Sequence, residues 1–148
     1  MSLLDKILPP GNVLCGLDAS SKAQLFEEAG RLFENKLRLP RKKVIDSLAT
    51  REKLGSTGLG LGFAIPHGRI KGLSVATGAF FKLKTPISFD APDGQSVSMV
   101  FVLLVPEQAT DLHLQILGEL AQIFSNRQLR EKFQASSDPT EIYRLLTE

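Results

Sequence analysis

His67 stands at the end of a short apolar run, in Gly60-Leu61-Gly62-Phe63-Ala64-Ile65-Pro66-His67-Gly68, and is one of only two histidines in the chain. A free imidazole has a pKa near ~6.5, so it is mostly neutral at cellular pH and can attack phosphorus without a strong base. Phosphoryl transfer asks a protein chiefly for positioning and for charge stabilisation. Two further residues have types suited to that work. His113 falls at the third position of an expected helix, where unpaired backbone N–H groups favour an anion and disfavour a protonated ring. Arg51 offers a planar fork for phosphate oxygens. Spacing alone does not bring the three together, and each also has a plain reading as a loop, near-cap or surface residue.

Other chemistries are less well supported by the spacing. Gly55 and Gly60 are separated like the first and last glycines of a nucleotide phosphate loop, but Leu61-Gly62 stand where Lys-Ser/Thr belong. Gly58-Leu59-Gly60 would need glycine at position 63, where Phe63 stands, and the loop precedes its strand instead of following it. These glycines are then expected only to make tight turns. A metal site would draw on the histidines with Asp111 or Glu107. Asp111 and His113 are two apart on a helix and face different directions, and no His-x3-His pair or second cysteine completes a tetrahedron. No metal is expected. Cys15 carries no nucleophile motif and reads as a small buried hydrophobe.

The elements that must position these residues follow from periodicity. Ser21 and Gln24 have capping-box spacing, and Leu25, Phe26, Ala29, Leu32 and Phe33 recur at helical intervals, which predicts a helix over 21–36. Pro40 opens a second helical pattern with Val44, Ile45 and Leu48 as its buried stripe, Arg51 near its end and Gly55 as its stop. A glycine-rich loop leads into a strand over Phe63 to Ile65. Pro66 has no N–H for a ladder, so that strand is expected to end there and leave His67 on a strand-end loop. Gly68 lacks a Cβ, which would let another backbone or a phosphoryl group come close.

Leu73 to Lys84 reads as a strand, Thr85-Pro86 as a turn, and Ile87 to Phe89 as a short strand, with a reversal at Asp93-Gly94. Val97 to Val105 is almost wholly apolar and is expected at the centre of the sheet. A long helix then starts with Thr110 as N-cap and Asp111 in its first turn, with Leu112, Ile116, Leu120 and Ile123 on one face. Asp138-Pro139-Thr140-Glu141 starts a last helix that runs to about Leu146.

The chain has 148 residues with 43% hydrophobic content, enough for one domain over 1–148 that buries roughly 70% of its unfolded surface. A lone cysteine suits a reducing compartment, and the opening MSLLDKILPP is too short and interrupted for a signal peptide or a span; a cytoplasmic location without membrane insertion is expected. The formal charge of +2 gives no nucleic-acid footprint, despite the cluster Arg38, Arg41, Lys42 and Lys43. The order of helices and strands suggests an α/β (α+β) fold, a central mixed β-sheet flanked by α-helices.

Three segments carry a more specific signal: Arg51-Glu52-Lys53-Leu54-Gly55-Ser56-Thr57-Gly58, then Gly62-Phe63-Ala64-Ile65-Pro66-His67-Gly68, then Leu104-Val105-Pro106-Glu107-Gln108 with Leu112-His113-Leu114. Together they resemble the IIA component of the phosphoenolpyruvate-dependent phosphotransferase system, of the fructose/mannitol class and nearest its nitrogen-regulatory type. The resemblance implies that His67 accepts a phosphoryl group on Nε2 from the phosphohistidine of an HPr-like carrier protein. It makes His113 the second active-site histidine and Arg51 the active-site arginine, with no cofactor. The expected function is a phosphotransferase component whose output is mainly regulation of target proteins. The alternatives are a sugar-transport IIA that passes the group to a IIB cysteine and, from another class, a protein-binding module that never needs phosphate.

Overall fold

Of the ten residues Val97–Pro106 only Ser98 carries a polar side chain, and a run this apolar must be covered on both faces. It forms β6, in the middle of a six-stranded mixed sheet. The structure is a computed structural model that describes residues 3–109 and 111–148. Beside β6 on one edge lies β5 (Thr77–Ile87), antiparallel, followed by β1 (Val13–Leu17), parallel to β5. On the other edge lie β3 (Phe63–Ala64) and β4 (His67–Ile70), both parallel to β6, with β2 (Gly58–Gly60) antiparallel to β3.

Alternation along β6 divides the core in two. Met99, Phe101, Leu103 and Val105 pack with α1 (Leu3–Ile7), α4 (Asp111–Ser125), α5 (Arg127–Ala135) and α6 (Pro139–Thr147). Val100, Val102 and Leu104 pack on the opposite face with α2 (Lys22–Leu37) and α3 (Arg41–Lys53). Consecutive residues of one strand thus serve two helical layers, as the period of two requires. The expected fold class and the central place of β6 are both found.

The local signals mostly act as expected. Ser21 caps α2 by accepting from Gln24 N at 3.2 Å, although Gln24 Oε1 turns back to Ser20 N, at 2.7 Å, and not to Ser21. Asp138 caps α6 by accepting from Thr140 N at 3.0 Å. Thr110, the expected cap of α4, lies outside the described residues. Gly60, Leu61 and Gly62 all have positive φ, at 93°, 59° and 88°, and make the tight turn between β2 and β3. Asp93 steadies that turn by accepting from Leu61 N at 2.8 Å.

Several expectations need correction. β3 does end before Pro66, at Ala64, but pairing with β6 resumes beyond the proline in the same register, Phe63 with Met99 and His67 with Leu103. Pro66 forgoes one ladder donor, but its carbonyl accepts from Leu103 N at 2.9 Å, which holds the chain against β6. His67 is therefore the first residue of β4 and not a loop residue. The strand expected from Leu73 starts at Thr77, and Thr85-Pro86 is no turn; β5 continues to Ile87 across an irregularity between Lys82 and Ile87, where a missing N–H is tolerated. The sequence patterns mark no α1, β1 or α5, β2 lies within the stretch expected to be a glycine-rich loop, and Cys15 is half-buried on β1. Ile45 and Ile123 sit only partly buried at the margins of the stripes assigned to them.

Candidate active site

The side chains of Phe63 and Ile65 belong to the α4 layer, and the same alternation directs His67 to that side of the sheet. There it meets His113 in the first turn of α4, the ring centroids 4.9 Å apart and the planes at 68°. Arg51 comes from the other layer, in the last turn of α3, and its Nε donates to His67 Nε2 at 3.2 Å. The three residues singled out in the sequence line one cleft of about 520 Å³, together with Asp46, Ser47, Thr50, Leu54, Gly68 and Arg69.

The hydrogen bonds of His67 specify its tautomer. Nδ1 lies 2.8 Å from the carbonyl oxygen of Ile65, which can only accept, and Nε2 receives the Arg51 N–H. Both contacts are satisfied by a neutral ring with its proton on Nδ1 and its lone pair on Nε2, facing the cleft. Burial pushes the His67 pKa down, the Ile65 carbonyl opposes this, and the Arg51 guanidinium pushes it down further. Burial also lowers the pKa of His113, helped by the nearby His67, Arg69 and Arg51. Both shifts favour the neutral ring. His113 Nε2 is buried without a hydrogen-bond partner among the described residues.

Arg51 is aimed by a second bond, from Nη1 to the Gly55 carbonyl at 2.8 Å. That carbonyl belongs to the turn after α3, which a buried carboxylate anchors. Glu52 takes Thr57 N at 3.0 Å and Thr57 Oγ1 at 2.6 Å, and pairs with Lys22 Nζ at 3.0 Å. The Lys22 ammonium also lies over the Phe89 ring, 4.7 Å from its centre.

Gly68 serves packing and not a ligand. A Cβ there would overlap Ser47 Oγ of α3, whose hydroxyl donates to Arg69 O at 2.9 Å. The space that the glycine leaves is filled by the helix carrying Arg51.

Sequence reasoning missed Arg69 and Glu52 as parts of this site. Arg69 is two residues beyond His67, so a strand through His67 would have put both on one face; the strand-end loop hid that relation. Glu52 is an ordinary acidic residue in a helical pattern, and nothing local distinguishes it. Among the described residues no group of three or more His, Cys, Asp or Glu side chains is arranged to hold a metal ion. Among the described residues no helix is long and apolar enough to cross a membrane.

A curated nitrogen regulatory protein of Pseudomonas aeruginosa is 36% identical over 149 residues, spanning 100% of this chain and 97% of its own. The crystal structure of the nitrogen regulatory protein IIA-Ntr from Neisseria meningitidis is 49% identical, with a TM-score of 0.94 over 99% of this chain and 100% of that one. The mannitol enzyme IIA in complex with phosphorylated mannitol enzyme IIB from Escherichia coli shares the fold, with a TM-score of 0.75 at 20% identity over 91% of this chain and 93% of that one. The family model described as phosphoenolpyruvate-dependent sugar phosphotransferase system, EIIA 2, matches residues 6–148, and the chain belongs to that family.

Proposed function

We propose that this chain is a phosphohistidine carrier that takes its phosphoryl group on His67 Nε2 from the phosphohistidine of an HPr-like protein, and that its output is nitrogen-related regulation. The observation that carries the reading is the pair of bonds on His67: with Nδ1 committed to the Ile65 carbonyl, only Nε2 has a lone pair, and it faces the cleft.

The transfer balances on these groups. Nε2 attacks phosphorus as the P–N bond of the carrier breaks. The electron pair of that bond returns to the carrier's ring, which enters protonated on its other nitrogen and leaves as neutral imidazole. The His67 ring then bears the positive charge with its proton on Nδ1, where the Ile65 carbonyl dipole stabilises it. Arg51 Nε–H gives up the occupied Nε2 and turns to the phosphoryl oxygens, and His113 Nε2, as an N–H, donates to another. The added negative charge and acceptor oxygens change which partner surfaces the cleft rim attracts or repels, and this is the regulatory signal. The chemistry and the expected partners suit the cytoplasm.

The test is incubation with phosphoenolpyruvate, enzyme I and the HPr-like carrier. His67 should acquire an alkali-stable, acid-labile label with the phosphorus signal of an Nε2-phosphohistidine. Labelling of His67→Ala at the same rate would sink the proposal. The shared fold with a mannitol IIA seen against its phosphorylated IIB supports a second reading, transport. Discharge to a sugar-specific IIB faster than to water would put transport first.

A further inference from the structure

Nothing in the reading above uses Arg69. It is two residues along β4 from His67, on the same face, and it lines the cleft with both histidines and Arg51. Its Nη1 donates to the Glu107 carbonyl at 2.9 Å, in the turn between β6 and α4. That is its only side-chain hydrogen bond among the described residues, and there it joins no ion pair. A guanidinium bonded to a carboxylate is largely neutralised, whereas one bonded to a carbonyl keeps its whole charge and here keeps Nε and Nη2 as donors. The backbone beneath it is fixed by the Ser47 hydroxyl on Arg69 O. Without Arg69, the charges lining the cleft would be Arg51 and the exposed Asp46, which cancel. A phosphoryl dianion would then meet no net positive charge.

We propose that Arg69 is a second phosphate-holding guanidinium, which grips the phosphoryl oxygens from the α4 side while Arg51 grips them from the α3 side. Fixed at Nη1 on the cleft wall, its guanidinium loses less side-chain freedom on binding than a free arginine would. The inference rests on the phosphohistidine reading and adds a binding group to it. The same charge adds to the depression of the His113 pKa, so Arg69 also helps keep that ring neutral.

The test uses inorganic phosphate and the full chain, followed through the ring nitrogens of His67 and His113 by NMR, for wild type, Arg69→Gln and Arg69→Lys. Phosphate should bind Arg69→Gln about tenfold more weakly, as expected for a lost charge-assisted bond, and Arg69→Lys should recover part of that loss. The His113 titration should move up in Arg69→Gln and stay near wild type in Arg69→Lys, a change that a purely architectural role would not produce. Equal weakening in both variants, with amide shifts spread through α4, would mean that Arg69 merely sets the Glu107 turn, and the inference would fall. Wild-type phosphate affinity in Arg69→Gln would also overturn it. Phosphoramidate, which needs no carrier protein, separates the two proposals: wild type that labels on His67 while Arg69→Gln binds phosphate normally sinks this inference alone, whereas wild type that never labels on His67 sinks both.

Discussion

On the α3 side of the cleft, Arg51 and Glu52 are each held by more than one protein group; on the α4 side, His67 meets His113, whose buried Nε2 has no partner among the described residues. The first wall is anchored through Glu52 to Thr57 and Lys22, so the turn that aims Arg51 is built before any ligand arrives. On the second wall a buried polar atom is left unsatisfied, a cost that a phosphoryl oxygen would relieve. One wall supplies preorganisation and the other keeps unused hydrogen-bonding capacity. Substitution of the anchoring Glu52 should therefore cost stability, whereas substitutions at the cleft-facing Arg51 and His113 should cost function.

The largest effect is expected at Glu52. Its side chain is 6% exposed and holds three donors, so Glu52→Ala leaves Thr57 N and Thr57 Oγ1 without their acceptor and Lys22 with only the exposed Asp90 carboxylate at 3.7 Å. Breaking a buried pair on one side costs about 3–5 kcal/mol. Since Lys22 can still reach water, about 3 kcal/mol is expected, read as a lower midpoint in urea unfolding at unchanged slope. A loss under about 1 kcal/mol would show that the α3 wall does not depend on this carboxylate.

Arg51→Lys separates aim from charge. The lysine keeps the cation but cannot touch both the Gly55 carbonyl and the reacting group in one plane. Labelling of His67 should slow by roughly tenfold to a hundredfold while stability changes by no more than about 1 kcal/mol. Parallel losses in both would make Arg51 a structural member of its wall.

His113→Leu tests the other wall. Removing a buried, unpartnered polar atom should leave the protein as stable as before or more stable, by about 1 kcal/mol, because the cost of its desolvation disappears. Labelling should nonetheless slow. A destabilised His113→Leu that labels normally would reverse the assignment of the two walls.

How much of this was legible in the sequence differs between the walls in the same way. His67, Arg51 and His113 stood out because a histidine after proline, an arginine at a helix end and a histidine in a first helical turn are local patterns that a family signature reinforces. Glu52 and Arg69 act through partners five to thirty-eight residues away, Thr57, Lys22 and Glu107, and such pairings exist only after the sheet has formed. Pro66 shows the mechanism of the error. Its missing N–H does accompany a strand end, at Ala64, but the Pro66 carbonyl accepts from Leu103 N and pairing with β6 resumes in register at His67, so tertiary pairing put a strand where the local rule put a loop. The capping side chain of α5, Asn126 accepting from Leu129 N at 3.0 Å, was a readable signal, obscured by the apolar stripe of the preceding helix.

The smallest expected effect is on stability against pH, and it bears on both walls at once. Burial lowers the folded-state pKa of His67 and of His113, so in acid the unfolded chain binds protons that the folded chain resists. The stability held by the neutral rings is fully present above the unfolded histidine pKa of about 6.5 and is lost progressively as the pH falls below it. Glu34 and Asp93, whose pKa values are lowered, lose their contributions only below about 4.5 and 3.8, so the range between pH 6.5 and 5 isolates the histidines. Urea unfolding at pH 7.5 and pH 5.5 should show wild type weakening on acidification, His67→Gln and His113→Leu each weakening less, and the double variant nearly level. The rate of His67 labelling should keep its plateau to below pH 6.5, since protonation removes the lone pair on Nε2 and that protonation is disfavoured in the folded cleft. A wild type as stable at pH 5.5 as at pH 7.5 would mean that the rings are protonated as easily folded as unfolded, and that neither wall of the cleft holds its imidazole neutral.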